Sequence, residues 1–167
     1  MRRAVIAFIA LAVSLPVHAK DLSGQWGAGF SKALGPEGSG VSSLAVRYWV
    51  DRQLALEGLG GFRVVDRNTG DERFFTLGGR FLIKAVEEEN LHVYGGAGLA
   101  WLYRKEGGDG NAGVGAEAFA GVEYFFQGLP HLGFSAEAGL SLQDVGDETA
   151  FGTWGESFVN LGLRYYF

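Results

Sequence analysis

The chain has 167 residues, of which 47% are hydrophobic and 20% are charged, so it is neither a disordered tail nor a helical protein with many membrane spans. It contains 28 glycines, and because a glycine in a helix interior costs about 1 kcal/mol relative to alanine, a mostly helical fold is disfavoured. The absence of cysteine excludes disulfides, thiolate metal sites, cysteine nucleophiles and a lipoprotein anchor. The formal charge of -5 argues against nucleic-acid binding.

The first 19 residues have the pattern of a secretory signal peptide. Arg2 and Arg3 form a basic start, an unbroken apolar run follows from Ala4 to Val13, and the segment ends in the small residue Ala19. The apolar run is too short to cross a bilayer as a helix, which needs about 20 residues. We therefore expect residues 1–19 to be cleaved, leaving one domain over 20–167. The alternative is an uncleaved membrane anchor.

The rest of the chain alternates between apolar and polar or small residues with period two, which predicts β-strands. Leu44, Val46 and Tyr48, for example, share one face of a segment whose other face carries Ala45 and Arg47. Eight strands are predicted, at 23–31, 41–50, 53–65, 73–84, 91–103, 113–126, 132–142 and 156–167.

The connections between these strands alternate in length. Short ones are predicted at 51–52, 86–90 and 127–131, and longer ones at 32–40, 66–72, 104–112 and 143–155. Short turns at one end and longer loops at the other are typical of a transmembrane β-barrel, and tilted strands of about ten residues match the bilayer thickness. The third strand also leaves Leu59 on its polar face among glycines, which predicts a β-bulge.

A soluble antiparallel sheet also alternates, so the choice between a soluble sandwich and a membrane barrel depends on the two faces. The apolar face is rich in aromatic residues near both strand ends, where they would meet lipid headgroups. The other face is mostly Gly, Ala and Ser, which suits the narrow interior of a small barrel. The predicted fold is therefore all-β, an eight-stranded antiparallel up-and-down transmembrane β-barrel.

The last strand carries the most specific motif. Asn160 is followed by Gly162, and then by outward aromatic residues at the antepenultimate and final positions, Tyr165 and Phe167. This pattern resembles the assembly signal of bacterial outer-membrane proteins. The resemblance implies that the barrel-assembly machinery reads these residues during biogenesis, since an unpaired aromatic strand can add to the edge of another sheet.

With its signal segment and strand count, the chain resembles the small eight-stranded outer-membrane proteins, the OmpA-transmembrane and OmpX-like group. The resemblance implies an integral outer-membrane location in a Gram-negative cell envelope, in contact with outer-membrane lipid and lipopolysaccharide. It also implies periplasmic termini and short turns, with the longer loops extracellular. We expect a monomer.

The inner face is predicted to carry four arginines and four glutamates. These are Arg47, Glu57, Arg63, Arg80, Glu117, Glu123, Glu137 and Arg164. Because eight strands enclose a space about wide enough for side chains, and because charges there must be paired, we expect a charge network that plugs the lumen. The function expected is then structural or in envelope and surface interactions. The alternative is a narrow porin-like channel for small solutes.

No catalytic residue, cofactor or metal site is predicted. Some eight-stranded outer-membrane barrels modify lipid A, and this chemistry needs a serine activated by a histidine and a carboxylate near the outer rim. His92 begins a strand beside a short turn and His131 lies in another short turn, so both fall at the wrong end. A lipid A-modifying enzyme is therefore the less favoured alternative.

Overall fold

A computed structural model describes residues 20–34, 43–66, 72–106, 109–153 and 159–167. The predicted signal segment, 1–19, lies outside the described residues. The described strands are β1 (Trp26–Leu34), β2 (Ser43–Trp49), β3 (Leu54–Val65), β4 (Glu72–Glu87), β5 (Leu91–Glu106), β6 (Asp109–Phe125), β7 (Leu132–Val145), β8 (Glu148–Thr153) and β9 (Val159–Tyr166). Among these residues there is no helix long and apolar enough to cross a membrane.

The strands form one closed ring. From β1 to β7 each strand pairs antiparallel with its neighbour in sequence, and β9 closes the ring by pairing with both β7 and β1. β9 pairs with the first half of β7 and β8 pairs with its second half, so β8 and β9 occupy the same edge of β7 one after the other. This architecture confirms the predicted all-β, eight-stranded antiparallel up-and-down barrel.

Several predicted loops and strand ends are wrong. Residues 104–112 are mostly strand, because β5 and β6 stay paired as far as Glu106 and Asp109. Within 143–155, β7 and β8 form a hairpin whose turn is Gly146-Asp147, with Gly146 at a positive φ of 63°. The glycines and charged residues of these segments predicted loops, but such residues do not interrupt the backbone hydrogen bonds between paired strands.

The predicted bulge in the third strand is also wrong. The β2–β3 and β3–β4 registers are continuous through Leu59, and the described irregularity in the ladders lies in β4, between Lys84 and Val86. Leu59 lies on the inward face opposite Gly78. Because glycine has no side chain, this pairing leaves room for an apolar side chain inside the barrel.

The outer surface of the barrel is apolar, whereas its interior contains a group of charged side chains. Large hydrophobic side chains are exposed on the outward face of every barrel strand, including Phe30, Leu44, Phe62, Leu77, Leu99, Val114, Leu140 and Leu161. The buried side chains instead include three glutamates and three arginines. A continuous exposed apolar surface marks contact with a membrane or a partner, so this distribution disfavours a soluble sandwich.

Glycines on the two faces have different surroundings. A Cβ on the inward Gly98 would meet Arg80 Cγ at 2.8 Å and the Gly79 carbonyl oxygen at 3.0 Å. A Cβ on the outward Gly58 would meet nothing within 4 Å. The inward glycine is therefore required by packing within the lumen, whereas the outward one is not.

This difference predicts opposite responses to valine. Gly98→Val should lower the free energy of unfolding by about 1–3 kcal/mol because it overpacks the lumen. Gly58→Val should leave it unchanged or raise it slightly, since valine favours strands. Urea unfolding of the refolded barrels, followed by tryptophan fluorescence, measures both. A larger loss for Gly58→Val would contradict the assignment of faces.

Candidate functional site

The most distinctive feature of the lumen is a buried cluster of three guanidiniums and four carboxylates. Period two directs these side chains inward from six strands, because alternate residues of a strand point to the same face. The members are Arg47 on β2, Glu57 on β3, Arg80 on β4, Glu117 and Glu123 on β6, Glu137 on β7 and Arg164 on β9.

Glu57 lies at the centre of this cluster and contacts all three arginines. Its carboxylate oxygens lie 2.7 Å from Arg47 Nε, 3.0 Å from Arg164 Nη2 and 3.2 Å from Arg80 Nη1. The Glu57 side chain is fully buried. Taking a carboxylate out of water costs several kcal/mol, and close contact with three cations is the arrangement that compensates for it.

Arg47 crosses the lumen. It starts on β2 and reaches Glu123 on β6 at 3.3 Å and Glu137 on β7 at 3.4 Å. In a ring of eight strands β2 and β6 are diametrically opposite, so the Arg47–Glu123 pair spans the full width of the interior. Arg80 also crosses, from β4 to Glu137 on β7, at 3.1 Å.

Neutral hydroxyl groups complete the cluster. The Tyr94 hydroxyl donates to Glu137 at 2.6 Å, and the Tyr166 hydroxyl donates to Glu123 at 2.8 Å. Arg164 Nη1 donates to the Ser135 hydroxyl at 3.0 Å. The sequence placed both tyrosines on the inward face but did not identify them as members of the network. The signal available in the sequence was their place in the alternating pattern, which puts both side chains on the inward face of their strands.

Arg80 also marks the part of the cluster that is nearest to solvent. Its guanidinium bonds Glu117 through two nitrogens, and Glu117 is the most exposed of the four carboxylates. The same guanidinium lies 4.7 Å above the centre of the Phe119 ring, and Arg47 lies 5.0 Å from that of Tyr94. Cation–π contacts of this kind stabilise a charge that has lost its water.

Arg63 lies apart from the other predicted network residues. It shares the inward face of β3 with Glu57, but six residues, or about 20 Å of strand, separate the two. The structure therefore brings together seven of the eight predicted residues and leaves Arg63 towards the loop end of the lumen.

The predicted assembly signal divides between the two faces of β9 and the chain end that follows it. Tyr165 and Phe167 are exposed, whereas Gly162 is buried and Asn160 donates from Nδ2 to Glu137 at 3.4 Å. In the folded barrel this strand is paired on both sides, with β1 and with β7.

Aromatic and aliphatic side chains form a floor below the charges, at the short-turn end. Trp49, Phe125 and Tyr166 are fully buried there, together with Leu82 and Leu22. His92 lies among them, with its ring centre 6.2 Å from that of Trp49 and 5.2 Å from that of Phe125. Lys84 Nζ lies 4.9 Å above the Trp49 ring and pairs with Glu87 at 3.0 Å.

The segment before β1 contacts the outside of this floor. Asp21 accepts hydrogen bonds from the Ser23 hydroxyl at 2.6 Å, the Ser23 amide at 2.9 Å and Arg52 Nε at 2.9 Å. These bonds, those from Ser23 first, hold the pKa of Asp21 well below its usual range. The carboxylate is therefore charged at neutral and mildly acidic pH.

The two histidines of the described residues have different surroundings. His92 is buried in the aromatic floor, and His131 lies in an exposed turn with its ring centre 5.9 Å from that of Tyr165. Within the described ranges no group of three or more His, Asp or Glu side chains is placed to hold a metal ion.

No protein-family model matches the sequence, and no curated protein matches it significantly. Solved structures do match the fold. The N-terminal β-barrel domain of Pseudomonas aeruginosa OprF is 16% identical, with a TM-score of 0.50 over 89% of this chain and 100% of that domain. Neisserial surface protein A is 17% identical, with a TM-score of 0.52 over 86% of this chain and 95% of its own.

The chain has the fold of the eight-stranded outer-membrane β-barrels. At these identities the likeness establishes the fold alone. Within the lumen of this barrel the charges form a connected cluster above an aromatic floor.

The cluster predicts a graded response to neutralising a glutamate. Glu57→Gln should lower the free energy of unfolding by about 3–5 kcal/mol, because it leaves three buried guanidiniums short of a counter-charge. Glu148→Gln is the matched control, since Glu148 makes a 3.4 Å pair with Arg104 in solvent. That change should lower the free energy of unfolding by less than about 1 kcal/mol. Denaturant titration of the two refolded variants compares them, and equal losses would show that the cluster does not act as a buried network.

Proposed function

We propose that the protein is an integral outer-membrane barrel with a plugged lumen and a structural or envelope and surface-interaction role, not a catalytic one. The fold of the outer-membrane barrels and the exposed apolar surface support the location. In this proposal a signal at 1–19 directs export, and the short turns face the periplasm. The longer connections face outwards, and the protein is a monomer in contact with outer-membrane lipid and lipopolysaccharide.

The Arg47–Glu123 pair carries the proposal for the lumen. It joins opposite walls of the ring at 3.3 Å, and Glu57, Glu137 and Arg164 pack around it. A continuous water path would have to part these charges, and each would then lose a buried partner. The aromatic floor is a second barrier below the first.

The long strands support a role in surface interactions. β4 to β7 have 14 to 17 residues, whereas a tilted strand needs only about 9–11 to cross a bilayer. In β5, β6 and β7 the residues beyond this length lie at the ends where β5 joins β6 and β7 joins β8, opposite the short turns. These strands would extend the barrel wall beyond the headgroups and present a surface outside the cell.

Conductance tests the plug. In planar bilayers the wild-type protein should show no large, stable openings, because the charge cluster fills the cross-section. A 16-stranded porin inserted under the same conditions is the positive control. Steady openings of general-porin size from the purified protein would replace the plugged barrel with the channel alternative.

Truncation of the final aromatic residue tests the proposed role of the barrel-assembly machinery. Phe167→Ala should reduce the assembled fraction in the outer membrane severalfold, because the machinery would lose an outward aromatic of the last strand. Phe151→Ala is the matched control, since Phe151 is just as exposed but lies on β8. The heat-dependent shift in gel mobility measures the assembled fraction. Equal losses in both variants would remove the special role of Phe167.

A further inference from the structure

Residues Lys20 to Gln25 cross the short-turn mouth of the barrel, and we call this segment the strap. Leu22 is its one fully buried side chain, and it belongs to the same apolar cluster as Trp49, Ala55 and Phe125. The sequence predicted that the first strand begins at residue 23, but β1 begins at Trp26. The strap is therefore outside the barrel ladder, although it fills part of the barrel interior.

Two sets of contacts hold the strap in place. On the inside, the Gly24 amide donates to the Trp49 carbonyl at 2.8 Å, and the Trp49 amide donates to the Gln25 carbonyl at 3.2 Å. On the outside, Asp21 pairs with Arg52, in the turn between β2 and β3, at 2.9 Å. Both side chains of that pair are solvent-exposed, so it holds the strap only weakly.

Lys20 adds a contact to the floor itself. Its ammonium lies 4.1 Å from the centre of the Phe125 ring and 5.9 Å from that of Tyr166. These two rings belong to the aromatic floor beneath the charge cluster. The strap therefore covers the floor with one leucine and one lysine, and neither belongs to a strand.

We propose that the strap is a removable plug, which closes the short-turn end of the lumen when Leu22 is inserted and opens it when Leu22 withdraws. Withdrawal would break two backbone hydrogen bonds, one exposed ion pair and the contacts of Lys20 with the floor. It would break no pairing between the described strands, so it is a local opening rather than unfolding of the barrel. The side chains it would expose are those of Trp49, Ala55, His92 and Phe125. This inference rests on the proposed plugged barrel and adds a second, movable closure to the fixed one.

The absence of cysteine in the chain allows a clean test. Ala55 is fully buried in the strap's cluster and lies two residues from Glu57 towards the short turn, so Ala55→Cys reports access below the charges. We would measure its reaction rate with a small maleimide in the refolded barrel. Leu22→Asp is then added to expel the strap, and Leu129→Asp is added separately as the control, since Leu129 is an exposed leucine in a short turn.

Leu22→Asp should raise the labelling rate at position 55 by about tenfold or more, because that rate follows the population of the open form. Leu129→Asp should leave the rate unchanged. Equal rates with and without Leu22→Asp, or an equal rise with Leu129→Asp, would overturn the proposal. If Leu22→Asp loses the heat-dependent mobility shift of a folded barrel, Leu22→Ala is used in its place. The labelling rate at position 55 should then rise about threefold, and an unchanged rate would contradict the proposal.

The test separates the strap from the fixed plug. Failure of the charge cluster behind an intact strap would appear as steady conductance of the Leu22→Asp barrel, while the wild-type protein does not conduct. Failure of the strap would appear as rapid labelling of Ala55→Cys in a wild-type background that does not conduct. Steady conductance of the wild-type protein would reject both closures, because current has to pass the strap as well as the cluster.

Discussion

The pairing of buried charges across a narrow ring is the constraint on which the rest of this structure depends. Arg47 and Glu123 start from opposite strands and meet at 3.3 Å, where neither can be hydrated freely. Each buried ion is tolerated only because other partners surround it, such as the three arginines around Glu57 and the tyrosine hydroxyls on Glu123 and Glu137. The cluster is therefore cohesive as a unit and intolerant of partial removal. The same property makes it suited to closing a lumen.

The two faces of the wall meet opposite requirements. Inside, long charged side chains occupy the centre, so the wall behind them has to be thin, and Gly98 lies where a Cβ would strike Arg80. Outside, apolar and aromatic side chains are exposed, and Gly58 faces open space. The many glycines of a hydrophobic chain thus have two separate explanations. Some are required by the packing of the lumen, whereas Gly58 and Gly79, paired on the outer face, have no such requirement.

Alternation in the sequence predicted most of the fold and the inward direction of the network residues. It did not predict the level of each side chain along the barrel axis. Arg63 shares the inward face of β3 with Glu57 but lies about 20 Å along the strand from it. It also did not predict where pairing ends, because a hydrogen-bonded ladder continues through glycine and charged residues as long as its partner strand does. Residues 23–25 were predicted as strand, but they belong to a segment that follows the buried Leu22 into the mouth of the barrel.

The sequence by itself determined the strands, their apolar outer face and the set of charges that point inward, because a period of two is a local property of the backbone. Only the tertiary structure decided which of those charges meet. Arg47 and Glu123 are 76 residues apart, and closure of the ring with its particular stagger brings them to the same level of the lumen. The floor of Trp49, Phe125 and Tyr166, and the strap that covers it, depend on the same closure, since these residues come from different strands that share only the mouth of the barrel.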